Sequence, residues 1–184
     1  LARELQSKGC TARLIACDLG DPVAVGRLIA AHRDIGAVFH LAGAGALSPT
    51  ELDEQNWCRQ MAGKVDGAWN LHRTMLEHGA HPKDFVLYGS IAGFWGAGGS
   101  LDYSAANAAL TGLAQHRRAL GLPATVIHWG RCPEGGTQNL ESAAYLSRRG
   151  LLALRPELAF ETMANILSHA ETSVVVARVD WKPF

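Results

Sequence analysis

Residues 90–107 read S-I-A-G-F-W-G-A-G-G-S-L-D-Y-S-A-A-N, and this stretch decides the fold. The apolar run at 85–89 predicts a buried strand that ends at Ser90. The glycines that follow predict a flexible loop, after which Tyr103 opens an Ala-rich helix with Asn107 on the same face. Serine and tyrosine in these places are often only a cap and a packing residue. Together, at the carboxyl edge of a parallel sheet, they predict a proton-transfer site.

Strand and helix patterns alternate on both sides of this stretch. Further short apolar strands are predicted at 12–17, 37–41, 124–129 and 174–179. Helices are predicted at 1–8, 22–32, 50–77, 101–120, 139–149 and 156–169, with an interruption of the third near Gly63. Asp21 is predicted to cap the second helix. Continuous apolar strands separated by long helices indicate an α/β fold with a parallel sheet covered on both faces, in a single domain over residues 1–184.

Composition narrows the possible functions. The 17 basic and 17 acidic residues balance, so nothing indicates a nucleic acid or an anionic membrane as partner. No apolar run approaches the roughly 20 residues of a membrane span. The eight histidines lack ligand spacing, so no metal site is expected. Four widely spaced cysteines are expected to be reduced, buried or half-buried thiols of a cytoplasmic protein, namely Cys10, Cys17, Cys58 and Cys132.

The start of the chain lacks an expected feature. A doubly wound nucleotide-binding sheet opens with a strand that runs into G-x-G-x-x-G, and no such loop opens this chain. The G-A-G at 43–45 precedes no helical pattern, and the first residue is not Met. We expect an N-terminally truncated piece of a longer protein, without the first two strands and the phosphate loop. Such a piece is expected to be marginally stable and to bind a cofactor poorly, because unpaired backbone and apolar faces would be exposed.

Several motifs resemble the ketoreductase domain of modular type I polyketide synthases, a branch of the short-chain dehydrogenase/reductase superfamily, over essentially the whole chain. They are C-D-L-G-D at 17–21, H-L-A-G at 40–43, G-K-V-D-G-A-W-N-L-H at 63–72, F-V-L-Y-G-S-I-A-G at 85–93, Y-S-A-A-N at 103–107, L-P-A-T-V-I-H-W-G at 122–130 and V-D-W-K-P-F at 179–184. The resemblance implies a Rossmann-like doubly wound parallel sheet.

The resemblance also implies a reaction: NADPH-dependent reduction of a β-ketoacyl thioester on an acyl carrier protein to the β-hydroxyacyl form. Tyr103 would give its phenolic proton to the developing alkoxide, and Ser90 would hydrogen-bond the carbonyl oxygen. Most of the superfamily has a lysine four residues after the tyrosine, where this chain has Asn107. Lys64 would supply the ammonium instead, easing the release of the phenolic proton, and Asn107 would orient Lys64 or a water in a proton relay.

Cofactor binding is implied for a second set of residues. These are Asp18, Leu19, Leu41, Ala42 and Gly43, together with Lys64 and Tyr103. Trp95, eight residues before Tyr103, resembles the tryptophan of A-type ketoreductases, which give the L-hydroxyl, and the chain has no B-type L-D-D motif. The implied partners are the acyl carrier protein, with its chain bound to phosphopantetheine, and the neighbouring synthase domains.

Three other functions stay open. A stand-alone short-chain reductase could act on a small free substrate, although the Lys64–Asn107 arrangement and the V-D-W ending argue against it. A reductively silent domain could only brace its synthase, but it would be expected to lose Tyr103, Ser90 or Lys64, and all are present. A dehydratase or epimerase of the extended branch should keep a lysine four residues after the tyrosine, where this chain has Asn107. For the isolated 184-residue piece we expect no activity.

Overall fold

Helices and strands alternate along the part of the chain that the computed structural model describes, which is residues 2–44, 53–97, 99–132 and 140–184. The helices are α1 (Ala2–Ser7), α2 (Pro22–Ala31), α3 (Glu54–Met61), α4 (Gly67–His78), α5 (Ala92–Trp95), α6 (Leu101–Ala119), α7 (Leu140–Arg148) and α8 (Pro156–Ser168). A π-helical turn (Ala62–Asp66) joins α3 to α4. The strands are β1 (Ala37–His40), β2 (Asp84–Ser90), β3 (Thr125–Trp129), β4 (Leu151–Leu152), β5 (Ser173–Val176) and β6 (Arg178–Val179).

Four parallel strands form the main sheet in the order β1-β2-β3-β5. Every residue of β3 is buried, as expected of a strand with neighbours on both edges and helices on both faces. In the register of β2 with β3, Ser90 lies opposite Trp129. The short strands β4 and β6 pair separately and antiparallel. The predicted α/β fold with a parallel sheet is confirmed.

Helices cover both faces of this sheet, as predicted. One face packs α2, α4 and α6 against β2 and β3, through residues that include Ile29, Met75, Phe85, Leu87, Leu110 and Val126. The other face packs α8 against the same strands, through residues that include Val86, Ile127, Trp129, Met163 and Ile166. The steps from β2 to β3 and from β3 to β5 cross the sheet in the same direction. Because α6 and α8 lie on opposite faces, the two crossovers have opposite hands.

Several local predictions agree with the structure, and several are wrong. The Asp21 side chain caps α2 by accepting a hydrogen bond from Val23 N at 2.8 Å, as predicted. The strand predicted at 174–179 is two strands, β5 and β6. The loop predicted after Ser90 contains the short helix α5. The predicted start of the third helix, at 50–52, and most of the predicted loop at 130–138 lie outside the described residues.

The strand predicted at 12–17 is not formed. A strand exists through its hydrogen-bonded neighbours, and in the described residues this segment pairs with none. Leu14 and Ile15 are 85% and 53% exposed, and β1 is an edge strand with Phe39 exposed. Unpaired, exposed apolar residues were expected at this edge of the sheet.

The cysteines are more exposed than predicted. All four cysteines are free thiols. Cys10, Cys58 and Cys132 are exposed, so the prediction of buried or half-buried thiols is right only for Cys17.

Within the described ranges, none of the helices has the length and apolarity that a membrane crossing requires.

A buried arginine lies between α4 and α6. Arg117 is 2% exposed, and its guanidinium lies 3.9 Å from the ring centroid of Phe85. Its Nε donates to Pro123 O, and its Nη1 donates to Nδ1 of His72 at 3.0 Å. His72 must therefore stay neutral to accept this bond. Burial, followed by the charges of Arg117 and His116, lowers the pKa of His72 to about 4.

This cluster predicts a stability that falls with acid. Between pH 6.5 and 4 the unfolded chain protonates His72 while the folded chain does not, so the unfolded state binds more protons and stability decreases as the pH falls. In His72→Asn, the amide oxygen can accept from Arg117 without titrating. Urea unfolding of both proteins across pH 4–7 should show a shallower decline for the variant. Parallel curves would contradict the prediction.

Candidate active site

Ser90 is the last residue of β2 and the first candidate site residue. Its Oγ accepts a hydrogen bond from Ala92 N at 3.2 Å. The backbone after it is tied to β3, because Ile91 N donates to Trp129 O at 2.9 Å. A hydroxyl that accepts from a backbone N–H still has its own hydrogen to donate. Ser90 is therefore equipped to donate to a carbonyl oxygen at the carboxyl end of the sheet.

Tyr103 and Asn107 lie on the first two turns of α6. Tyr103 is half-buried and Asn107 is fully buried. Asn107 Nδ2 donates to the Tyr103 carbonyl at 2.7 Å, while its Oδ1 has no hydrogen-bond partner within the described part of the chain. A buried amide oxygen of this kind can be satisfied by a water or an ammonium group.

Gly93 brings α5 close to this part of α6. A Cβ at Gly93 would lie only 2.7 Å from the Asn107 Cβ and 2.7 Å from Ala108 N, so no larger residue fits without a shift. Because α5 begins two residues after Ser90, this contact holds the end of β2 beside Asn107. The predicted flexible loop is thus a packed connection at this point.

Lys64 lies within the π-helical turn and is only 6% exposed. Its Nζ donates to the carbonyl of Tyr88 at 3.2 Å, two residues before Ser90. A Cβ at Gly43 would lie 2.6 Å from the Lys64 Cε, so a glycine at 43 leaves room for the lysine side chain. Burial lowers the pKa of Lys64 to about 8. The turn packs against α6, so the structure brings the segments of all four predicted catalytic residues to one edge of the sheet.

His40, the last residue of β1, holds the π-helical turn in place. A carbonyl only accepts, so the 2.9 Å contact between His40 Nε2 and Lys64 O places the ring hydrogen on Nε2. Burial lowers the pKa of His40, which keeps the imidazole neutral. At the end of the turn, Gly67 N donates to Ala62 O, five residues back. His40 is not among the site residues predicted from the sequence, where a histidine in an apolar strand is the available signal.

The residues predicted to bind the cofactor form two segments. Leu41, Ala42 and Gly43 directly follow β1. Asp18 Oδ1 accepts from Gly20 N at 2.9 Å, which closes a local turn around Leu19. Both segments lie against the π-helical turn and the start of α4. Gly43 contacts Lys64 in the turn, and a Cβ at Gly67, the first residue of α4, would lie 2.9 Å from the Leu19 Cβ.

Asn70 on α4 anchors the turn that contains Asp18 and Leu19. Its Nδ2 donates to the carbonyls of Leu19 at 2.9 Å and Gly20 at 3.3 Å. Asn70 is buried, and the resemblance at 63–72 implies no role for it. A polar residue on the apolar side of a helix was the only signal that could have identified it.

Trp95, the last residue of α5, has an exposed side chain. It is 40% exposed, and its ring centroid lies 5.0 Å from that of Phe184. Phe184 also contacts Trp181, with 5.5 Å between centroids. Trp95 thus lies against Phe184, which in turn packs on Trp181.

Comparison with known proteins places this geometry in a family. The model of the KR domain matches residues 1–134. The chain belongs to the KR, or ketoreductase, domain family. It is 39% identical to the pikromycin polyketide synthase component PikAIII of Streptomyces venezuelae over 188 residues, covering 100% of this chain and 12% of that protein. It is 35% identical to the erythronolide synthase EryA3 of Saccharopolyspora erythraea over 190 residues, covering 100% of this chain and 6% of that protein.

Solved ketoreductases share the fold of this KR-family chain. The first ketoreductase of the tylosin PKS is 37% identical, with a TM-score of 0.90 over 100% of this chain and 40% of that one. A structure described as A-type ketoreductases from a modular polyketide synthase is 34% identical, with a TM-score of 0.91 over 100% of this chain and 39% of that one. The resemblance to polyketide synthase ketoreductases and the Rossmann-like fold are confirmed. The KR-family chain spans less than half of each of these proteins.

The buried Lys64 predicts an alkaline rise in the stability of the KR-family chain. From about pH 8 to 10.5 the unfolded chain holds a proton on Lys64 that the folded chain has lost, so the unfolded state binds more protons and stability rises with pH. Lys64→Met should be more stable than the wild type below pH 8, and the difference should shrink as the pH approaches 10. Urea unfolding measures both curves. The exposed Lys83→Met variant is the control, and a constant difference for Lys64→Met would contradict the prediction.

Proposed function

We propose that the KR-family chain is the catalytic part of a single ketoreductase domain in a modular polyketide synthase. It reduces a β-ketoacyl thioester, carried on the phosphopantetheine of an acyl carrier protein, to the β-hydroxyacyl form. The observation that carries this proposal is the buried Lys64 ammonium, bound to the β2 carbonyl of Tyr88 and packed beside α6. This arrangement sets a cation near the strand end that presents Ser90 and the helix that presents Tyr103.

The residues at this edge of the sheet fit a nicotinamide cofactor. Leu41, Ala42 and Gly43 follow β1 at its carboxyl end, where ligands bind in open α/β sheets. Asp18 and Leu19 lie in a turn fixed by α4. Asn107 Oδ1, which has no hydrogen-bond partner among the described residues, gives the site a buried acceptor. Bound NADPH would supply the hydride, chemistry that no amino-acid side chain provides. The preference for NADPH over NADH rests on family membership.

The side chains of this site supply the proton and the charge stabilisation. Tyr103 gives its phenolic hydrogen to the oxygen of the substrate carbonyl as that oxygen becomes an alkoxide. Ser90 Oγ, oriented by Ala92 N, donates to the same oxygen. The Lys64 ammonium favours the phenolate that remains on Tyr103. Asn107 Oδ1 accepts from Lys64 or from a water that returns the proton.

Removing the phenolic hydroxyl tests this mechanism. In the synthase module that contains this chain, Tyr103→Phe should reduce kcat by about 10²–10⁴-fold, the usual contribution of a general acid. Tyr145→Phe is the matched control, because Tyr145 is exposed on α7 and should leave the rate unchanged. The assay follows NADPH absorbance with a β-ketoacyl carrier-protein thioester, and circular dichroism checks folding. Full activity of Tyr103→Phe would contradict the mechanism.

The same assay separates the competing functions. A stand-alone reductase would act on a free β-keto acid and not on the carrier-bound thioester. A silent domain would give no Tyr103-dependent reduction of either substrate. Reduction confined to the tethered thioester is the result that the synthase function requires.

The stereochemical part of the proposal is that the domain is A-type. Trp95 supports it, because a tryptophan eight residues before the tyrosine resembles that of A-type ketoreductases, and its ring is packed against Phe184. The product of the wild-type module should be the L-hydroxyacyl thioester. Trp95→Ala should lower the L:D ratio, while Phe160→Ala, an exposed aromatic residue on α8, should leave it unchanged. Chiral chromatography of the released acid measures the ratio, and a D product from the wild type would refute the assignment.

A further inference from the structure

His128, one residue before the end of the buried strand β3, makes two hydrogen bonds with its ring. Nδ1 lies 3.1 Å from the carbonyl oxygen of Ser90, and Nε2 lies 3.0 Å from Oγ1 of Thr111 on α6. The side chain is 1% exposed. His128 has no role in the proposed ketoreductase mechanism. The ring nevertheless links the end of β2 to the helix that carries Tyr103.

The Ser90 carbonyl and the neutral state of the ring together fix the direction of both bonds. The Ser90 carbonyl only accepts, so Nδ1 carries the hydrogen and donates it. Burial lowers the pKa of His128, which keeps the ring neutral and leaves Nε2 as an acceptor. Thr111 therefore donates its hydroxyl hydrogen to Nε2. The chain of donation runs from Thr111 through His128 to Ser90.

Gly89 makes room for this contact. It lies opposite His128 in the register of β2 and β3, and a Cβ there would lie 3.0 Å from His128 Nδ1. The absence of a side chain at 89 lets the ring reach the Ser90 peptide. On the other side of that peptide, Ile91 N is bound to Trp129 O. The Ser90 carbonyl and the next N–H are thus both held by β3, one through a side chain and one through the backbone.

We propose that His128 is a positioning residue for Ser90. Its Nδ1–H fixes the carbonyl of Ser90, and with it the backbone from which the hydroxyl projects toward the substrate carbonyl. The 3.2 Å bond from Ala92 N to Ser90 Oγ depends on that same backbone orientation. His128 acts through Ser90 and does not touch the substrate. The inference rests on the proposed ketoreductase function.

Two substitutions of His128 separate its two bonds. In His128→Asn, the amide nitrogen takes a place close to Nδ1 and can donate to Ser90 O, while the contact with Thr111 is lost. In His128→Gln, the longer side chain places its amide close to Nε2 and keeps Thr111, while the contact with Ser90 is lost. Both variants remove the ring from the same buried site, and they differ from each other by one methylene. Urea unfolding measures that loss for each.

In the synthase module that contains this chain, His128→Asn should keep kcat within about threefold of the wild type, whereas His128→Gln should lose about tenfold or more, because a displaced catalytic group loses rate steeply. KM for the carrier-bound thioester should change little in either. In a Ser90→Ala background, His128→Gln should cause no further loss, because the group that it positions is already gone.

Equal loss of kcat in His128→Asn and His128→Gln would overturn the inference. So would a loss from His128→Gln that persists in full in the Ser90→Ala background, since the residue would then act on something other than Ser90. Either result, with an active wild type, leaves the ketoreductase function intact. A wild-type module that does not reduce the thioester would overturn the proposed function and this inference with it.

Discussion

The burial of a lysine ammonium beneath a strand end is the constraint on which the rest of this site depends. A charge removed from water must be hydrogen-bonded, and Lys64 Nζ is bound to the carbonyl of Tyr88. That bond requires the Tyr88 carbonyl of β2 to lie within reach of the ammonium. It also requires Gly43 to leave space for the aliphatic part of the Lys64 side chain, and His40 to hold the backbone of the turn. The position of the ammonium, and with it the proposed chemistry, follows from these contacts.

The proposed catalytic groups come from distant parts of the sequence, and the parallel sheet gathers them. The carboxyl ends of β1, β2 and β3 contribute His40, Ser90 and, one residue from its end, His128. Two helices on one face, α4 with its preceding turn and α6, contribute Lys64 and Tyr103. Since neighbouring parallel strands end at the same edge, small shifts in strand register would separate these groups. The buried contacts between the strands therefore serve the site as well as the core.

What could be predicted from the sequence was local or came from a motif. The strands around residues 85–89 and 124–129 carry strong apolar runs, and the Asp21 cap depends on a hydrogen bond two residues away. Residues 12–17 have the same apolar pattern but form no strand, because pairing depends on a neighbour and not on composition. The interruption predicted near Gly63 is present as a π-helical turn, and the His40 ring that contacts the Lys64 carbonyl within it lies 24 positions away in the sequence. The roles of His40, Asn70 and His128 lie in contacts across 24 to 51 positions, which no local pattern encodes.

The turn at Ala62–Asp66 also sets the angular relation between the two helices that it joins. Residues of a regular α-helix advance by about 100° each, so one extra residue per turn shifts the phase of everything that follows. Before the turn, α3 packs against α6; after it, α4 packs against α2. Deleting a single residue here would restore a regular α-helix across the junction. The rotation that follows would turn either the Lys64 ammonium away from the Tyr88 carbonyl or the apolar face of α4 away from α2. The length of this segment is therefore as much a determinant of the site as the ammonium that it carries.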